Sequence, residues 1–185
     1  GSVALGGGSD TLTLANQTNR VSVGNTETVI GGSGADTIIL TGALTRSVVG
    51  GGGLNFITGG TGADTFVLNQ NSAGNYTTVV NFTSAQSDMI GLDTTGSSTF
   101  STDVYDLGGA SLVNGTNITT AASAAARLAT SLSTSGSGGF VYQTNTGELF
   151  YSGTGDFSGG GTLIGVITTN GTTPWTYDST KFTQV

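Results

Sequence analysis

The chain contains no cysteine and no histidine. The first absence rules out disulfides, which is compatible with export by bacteria without demonstrating it. The second removes the usual general base near neutral pH and the commonest zinc ligand. Basic residues are scarce as well. Four Lys and Arg stand against 11 Asp and Glu, for a net charge of −7, and none lies between Arg46 and Arg127. Nucleic acid and anionic membrane surfaces both require clustered Lys or Arg, so neither is an expected partner. A multivalent cation is. With one proline and no three-residue glycine period, collagen is excluded. No run of 18 apolar residues occurs, so no transmembrane segment is expected. No signal peptide opens the chain, and Gly1-Ser2 reads as a remnant of expression, so the natural chain is expected to continue upstream.

Glycine is abundant, with 33 among 185 residues. The chain is 35% hydrophobic and 8% charged, and its polar positions are filled mainly by Thr, Ser and Asn. Regularly spaced Val, Ile, Leu and Phe argue against disorder. The mixture favours strands joined by tight turns.

The first third repeats every nine residues. Residues 31–39 read GGSGADTII, 50–58 GGGLNFIT with Gly50 in front, and 59–67 GGTGADTFV. Each has Gly at positions one, two and four, Asp or Asn at six, and a large apolar residue at eight. Residues 5–13 and 22–30 are weaker copies with Asp10 and Glu27 at position six. The stretch 40–49 carries one extra residue, and counting along the repeat puts Thr45 where the acid would stand. The stretch 14–21 is one residue short.

This pattern has a physical reading. Glycine reaches positive φ at no steric cost, so a GGxGx loop turns sharply and can aim several backbone carbonyls at one centre. The acid at position six adds a carboxylate. Mixed oxygen sets of this kind suit a hard cation such as calcium. The residues after it form a short strand with its apolar side chain inward, and stacked strands bury a core that one repeat could not bury alone. Leu12, Val29, Ile38, Ile57 and Phe66 are the expected core. The competing reading is a metal-free solenoid in which the glycines only make the turns.

The pattern GGxGxDxUx resembles that of the RTX (repeats-in-toxin) exoproteins of Gram-negative bacteria, completely at 31–39 and 59–67. The resemblance implies a parallel β-roll with two nonapeptides per turn and calcium held between repeats stacked on the same side. On one side it implies Asp36 and Asn55 as side-chain ligands, with carbonyls near Gly31, Ser33, Gly51 and Gly53. On the other it implies Asp10, Glu27 and Asp64, with Gly59 and Thr61. Because Asn55 is neutral, Glu27 long and Thr45 a weak substitute, fewer ions are expected than in a perfect array, some turns being held by side-chain hydrogen bonds instead.

After Asn69 the repeat stops. Residues 78–93 resemble the segment that follows the roll in RTX proteases, with Val79, Val80, Phe82, Asp88, Ile90 and Leu92 at the matching places. Asp88 either caps the roll through a further calcium or is a turn residue. Asn81 stands where the family usually has Asp. Ile118, Ala121, Ala122, Ala125, Leu128, Ala129 and Leu132 fall on one helical face, predicting a helix capped by Thr119 or Thr120 and ended by Gly136. Residues 139–144 and 147–152 flank a tight turn and predict a hairpin. Asp156 follows in a loop, read as a loop acid rather than a lone ligand. Tyr142, Phe150, Tyr151, Trp175 and Tyr177 read as core aromatics. Asp178, Phe182 and Val185 resemble the C-terminal ends of proteins exported by the type I pathway.

The expected architecture is all-β. A calcium-binding parallel β-roll over 3–68 precedes a β-sandwich-like cap and secretion region over 69–185 with one short α-helix. The expected function is a calcium-binding RTX-type C-terminal module that folds on calcium outside the cell. It would direct type I secretion of a larger surface-layer-like or adhesin-like protein, secreted or at the cell surface. Expected partners are calcium ions and the type I secretion machinery, with cell-surface polysaccharide or identical subunits as further candidates. The alternatives are a carbohydrate-binding sandwich using exposed aromatics such as Trp175, or the C-terminal module of a secreted hydrolase. An enzyme in its own right is not expected, since without His or Cys only a carboxylate pair, such as Asp103 and Asp106, or a Ser-Lys dyad using Lys181 remains.

Overall fold

The computed structural model describes residues 1–69, 74–93, 118–128 and 139–185. The chain is a β-solenoid of two facing sheets. Strands β1 (Ser2–Ala4), β3 (Arg20–Gly24), β5 (Thr37–Leu40), β7 (Asn55–Thr58) and β9 (Thr77–Val80) lie side by side in one sheet. Strands β2 (Thr11–Thr13), β4 (Thr28–Ile30), β6 (Arg46–Val49), β8 (Asp64–Leu68) and β10 (Met89–Leu92) lie in the other. Consecutive strands alternate between the sheets, and neighbours within each sheet are parallel.

The period of nine explains this arrangement. Each repeat supplies one turn and one strand, and two repeats complete a coil. Register then aligns like residues. Val21, Ile38, Ile57 and Val79 form one inward column. Leu12, Val29, Val48, Phe66 and Ile90 form the facing one. Val29, Ile38, Val48, Ile57 and Phe66 are completely buried, and Leu12 packs against the same core. The alternation of apolar and polar residues along each strand thus becomes a continuous narrow core, as the sequence predicts.

Close stacking of the turns sets the glycine requirement. A Cβ on Gly62 would lie 2.0 Å from the Leu44 carbonyl oxygen of the preceding coil. Gly51 has φ of 78°, and a Cβ there would lie 2.2 Å from the Gly32 carbonyl oxygen. Only glycine lets backbone approach backbone at these distances. The doublets therefore have a structural reason that is independent of any ligand.

Beyond residue 68 both sheets continue. Strand β14 (Thr162–Ile167) adds to β9 in parallel, followed outward by β13 (Glu148–Ser152), β12 (Gly139–Gln143) and β11 (Ile118–Ala121). Strands β12 and β13 form the predicted antiparallel hairpin, closed by Gly147 at φ of 77°. On the opposite sheet β15 (Phe182–Gln184) pairs in parallel with β10. Phe182, which the sequence marks near the chain end, is buried in the core. Trp175 joins these parts. Its ring contacts Phe82 at 4.9 Å, Tyr142 at 5.8 Å and Phe182 at 6.0 Å, covering the end of the coil core beside Phe66.

The helix starts later than the sequence predicts. Ile118 and Ala121 belong to β11, paired in parallel with β12, and α1 spans Ala124–Leu128. The helical stripe fails at its start because these residues gain a strand partner that local periodicity cannot register. Thr119 and Thr120 lie in β11, and Ser123 receives the Ala126 N–H. The predicted end at Gly136, with Ala129 and Leu132, lies outside the described residues, as do Asp103 and Asp106. Arg127 of α1 stacks over the Phe150 ring at 3.8 Å and donates to the Gly160 carbonyl, covering the outer face of the hairpin. Among the described residues no helix is long and apolar enough to cross a membrane.

Candidate metal-binding turns

The turns stack along two edges of the solenoid, and position six of each repeat opens the strand that follows or stands just before it. Along one edge this position holds Asn19, Asp36, Asn55 and Thr77. Along the other it holds Asp10, Glu27, Arg46, Asp64 and Asp88. Arg46, rather than Thr45, occupies the place aligned with Asp64. The extra residue of 40–49 is absorbed in the turn, so counting along the repeat misses the register by one.

The same hydrogen bond recurs along both columns. A side-chain oxygen at position six accepts the backbone N–H of position six in the preceding coil. Glu27 accepts from Asp10 at 2.7 Å, Asp36 from Asn19 at 2.9 Å, Asn55 from Asp36 at 2.9 Å, and Asp88 from Asp64 at 3.0 Å. The second carboxylate oxygen closes its own turn. Asp36 accepts from Gly32, Asp64 from Gly60, and Asp88 from Thr83. The N–H groups of Asp36, Gly60 and Asp64 are bonded in buried surroundings, where loss of the partner would cost about 1–3 kcal/mol each. Position six is therefore a coil-to-coil brace.

The stacking brings the predicted metal residues together in pairs. Asp10 and Glu27 share one edge, Asp36 and Asn55 the other, and Asp64 meets Asp88 across one coil. Gly51 lies over Gly31 and Gly32 of the turn below, Gly52 over Ser33 and Gly53 over Gly34, with the Gly52 N–H donating to Gly32 O at 3.0 Å. The Thr61 N–H donates to Gly42 O, and Gly59 O accepts from Asn81. Among the described residues no three acidic groups converge on one point.

The turn carbonyls differ in what faces them. Asn19 Nδ2 donates to Ala15 O and Gln17 O, and Asn55 Nδ2 to Gly51 O and Gly52 O. Asn81 Nδ2 donates to Gly59 O and Gly60 O. Arg46 donates to Thr41 O and Leu44 O, and its Nη1 lies 4.0 Å from Asp64 Oδ1. These four turns do not fit a calcium ion, because a protein donor already holds the focus of their carbonyls. The first turn leaves a carboxylate oxygen open to one. Asp10 Oδ2 is buried without a hydrogen bond, Glu27 adjoins, and Gly6, Gly7 and Gly8 have open space around them.

Asp64 is fully buried, and that burial pushes its pKa up to about 6, with the neighbouring Asp88 charge adding to the rise and the Gly60 hydrogen bond opposing it. Burial likewise raises Asp88. A raised carboxylate binds its proton more tightly in the folded state. Its stabilising contribution is complete below the unfolded value near 3.8 and is lost as pH rises to about 6. The melting temperature is expected to increase by several degrees between pH 7 and pH 5, and to increase less in Asp64→Asn. Thermal melts across that range check this, and equal slopes in the two proteins contradict it.

The aromatic named for sugar contact is buried in the core. Trp175 is 4% exposed, and its Nε1 donates to Ser84 Oγ at 3.1 Å. Asp156 lies in an exposed loop, where it accepts from the Ser158 N–H and hydroxyl. Asp178 caps the short 3-10 turn before β15. Asn19, Arg46 and Asn81 are the site residues that sequence reasoning did not assign. The only signal for them was departure from the repeat, since Asn81 and the residue beside Thr45 stand where an acid is the norm. Comparison with protein-family models, curated proteins and solved structures gives no match.

Proposed function

We propose that this chain is an RTX-type solenoid module of an exported surface protein, binding calcium at its first pair of turns. The observation that carries the reading is the pair of turn columns, glycine-rich at 6–8, 31–34, 50–53 and 59–62, with each turn contributing one position-six side chain. Asp10 and Glu27 would supply carboxylates to the ion and the adjacent turn its carbonyls. The bound ion supplies positive charge, which allows these oxygens to approach one another and ties the first coil to the second. The resemblance of Asp178, Phe182 and Val185 to type I export ends supports secretion through that machinery. The wealth of Thr, Ser, Asn and Gly supports a structural role at the cell surface, against polysaccharide or identical subunits.

Mass-spectrometric metal analysis after dialysis against millimolar calcium tests the metal reading. Bound calcium is expected in the parent and its loss in Asp10→Asn/Glu27→Gln. A parent free of calcium under those conditions sinks it. Export is tested by fusing a reporter upstream of the chain in cells that carry a type I exporter. Reporter accumulating in the medium supports the assignment, and retention in the cells refutes it.

A further inference from the structure

We infer that side-chain N–H groups of Asn19, Arg46, Asn55 and Asn81 take the place of turn-bound cations, so that these four turns fold and remain folded without calcium. This goes beyond the reading above, and it reverses for these turns what the repeat motif implies.

A turn that aims two carbonyl oxygens at one point places two negative dipole ends together. Something positive must stand between them. A cation does this with its full charge and draws in carboxylates to balance it. An amide NH2 does it with two N–H donors in a fixed fork and needs no balancing acid. Asn55 Nδ2 lies 3.3 Å from Gly51 O and 3.0 Å from Gly52 O. Asn81 Nδ2 lies 3.0 Å from Gly59 O and 3.1 Å from Gly60 O. Asn19 Nδ2 lies 2.9 Å from Ala15 O and 2.7 Å from Gln17 O, and also donates to Asp36 Oδ1 at 2.8 Å. Arg46 spans Thr41 O and Leu44 O with its two terminal nitrogens.

The bonding fixes which way the amides point. Asn55 Oδ1 accepts the Asp36 N–H at 2.9 Å, which leaves its NH2 to face the carbonyls. Asn81 holds φ of 63°, a conformation uncommon for a residue with a side chain, and its two bonds to the turn below offset that strain. The charge balance agrees. The edge with Asn19 and Asn55 has a single acid at position six, Asp36, whose oxygens already accept from Asn19 and Gly32. Arg46 brings its own positive charge to Asp64.

Asparagine and aspartate have the same shape but opposite needs at these points. Asn55→Asp and Asn81→Asp would each exchange a donor for an oxygen and create the cation demand that the native side chain removes. Thermal melts of the whole chain are to be read by circular dichroism, in chelator and in millimolar calcium. The parent is expected to keep its strand signal in chelator, and in the Asp10→Asn/Glu27→Gln background, which lacks the first-turn ion, to melt within about 3 °C of its temperature in calcium. Each Asp variant is expected to melt well below the parent in chelator and to recover most of that loss in calcium. Asn55→Leu, which removes the donor and adds no carboxylate, is expected to lose stability equally in both. Should a variant fail to accumulate, hydrogen exchange of the parent in chelator still decides, since the amides of Asp36 and Asp64 are then expected to stay protected. Loss of the parent's strand signal or of that protection in chelator overturns the inference. So do Asp variants as stable as the parent in chelator.

Discussion

Replacing Gly62 by alanine is expected to destabilise the protein by about 4 kcal/mol or more, among the largest costs for removing no interaction at all. The added Cβ would lie 2.0 Å from Leu44 O and 2.8 Å from the Ala43 carbonyl carbon. Both are backbone atoms of the coil beneath, so no side chain can swing aside. Relief requires the two turns to separate, which lengthens the Thr61 N–H to Gly42 O bond and disturbs the Gly60 N–H to Asp64 bond. At about 2–4 °C per kcal/mol, the melting temperature should fall by about 10 °C. Gly7→Ala provides the comparison, since a Cβ there meets nothing within 4 Å. It should melt close to the parent. Thermal or denaturant melts of the two variants separate stacking from general intolerance of glycine loss, and a Gly62→Ala protein melting with Gly7→Ala would defeat the argument.

Arg46→Leu is expected to cost about 3–5 kcal/mol, the range for breaking a buried charge pair by removing one partner. Arg46 is 2% exposed and Asp64 fully buried. Without the guanidinium, Thr41 O and Leu44 O lose a donor, and Asp64 is left buried as an uncompensated acid beside Asp88. Part of the cost belongs to that charge. The double variant Arg46→Leu/Asp64→Asn should therefore be more stable than Arg46→Leu alone, a non-additivity that a double-mutant cycle measures. A single variant losing less than about 1 kcal/mol would mean that the pair is solvated and the brace unimportant.

How far the sequence reveals this molecule depends on whether a feature is local. The copies at 31–39, 50–58 and 59–67 end in β5, β7 and β8, and their apolar eighth residues, Ile38, Ile57 and Phe66, are buried in one core. That much follows from period and turn chemistry. The register at Arg46 does not, because a turn can absorb one extra residue without disturbing the strands on either side, and counting cannot tell where it was absorbed. Strand β11 is hidden for a related reason. An alanine- and threonine-rich segment suits either helix or strand, and its pairing with β12 decided between them. The candidate site was legible as positions but not as chemistry. Asp10, Asp36 and Asp64 were marked from the repeat, and Asp88 from the resemblance of the segment after it. That Asp36 and Asp88 accept the backbone N–H of Asn19 and Asp64, and that Asp10 donates its own to Glu27, depends on how one coil sits on the next, which no single repeat contains.

The contacts of this fold divide into two classes by the length of chain they close. Coil-to-coil contacts join residues 17 to 24 positions apart, as in the bonds from Asp10 to Glu27 and from Asp64 to Asp88. Contacts that fasten the later strands, such as Thr168 to Val79 and Trp175 to Ser84, join residues 89 and 91 positions apart. Closing the longer loops carries a greater entropic penalty and slows the search for them. The coils can therefore zip one upon the next like a one-dimensional array. The Trp175 cluster and β15 then dock onto a stack that is already formed, and the last strand acts as a latch on a spring wound before it.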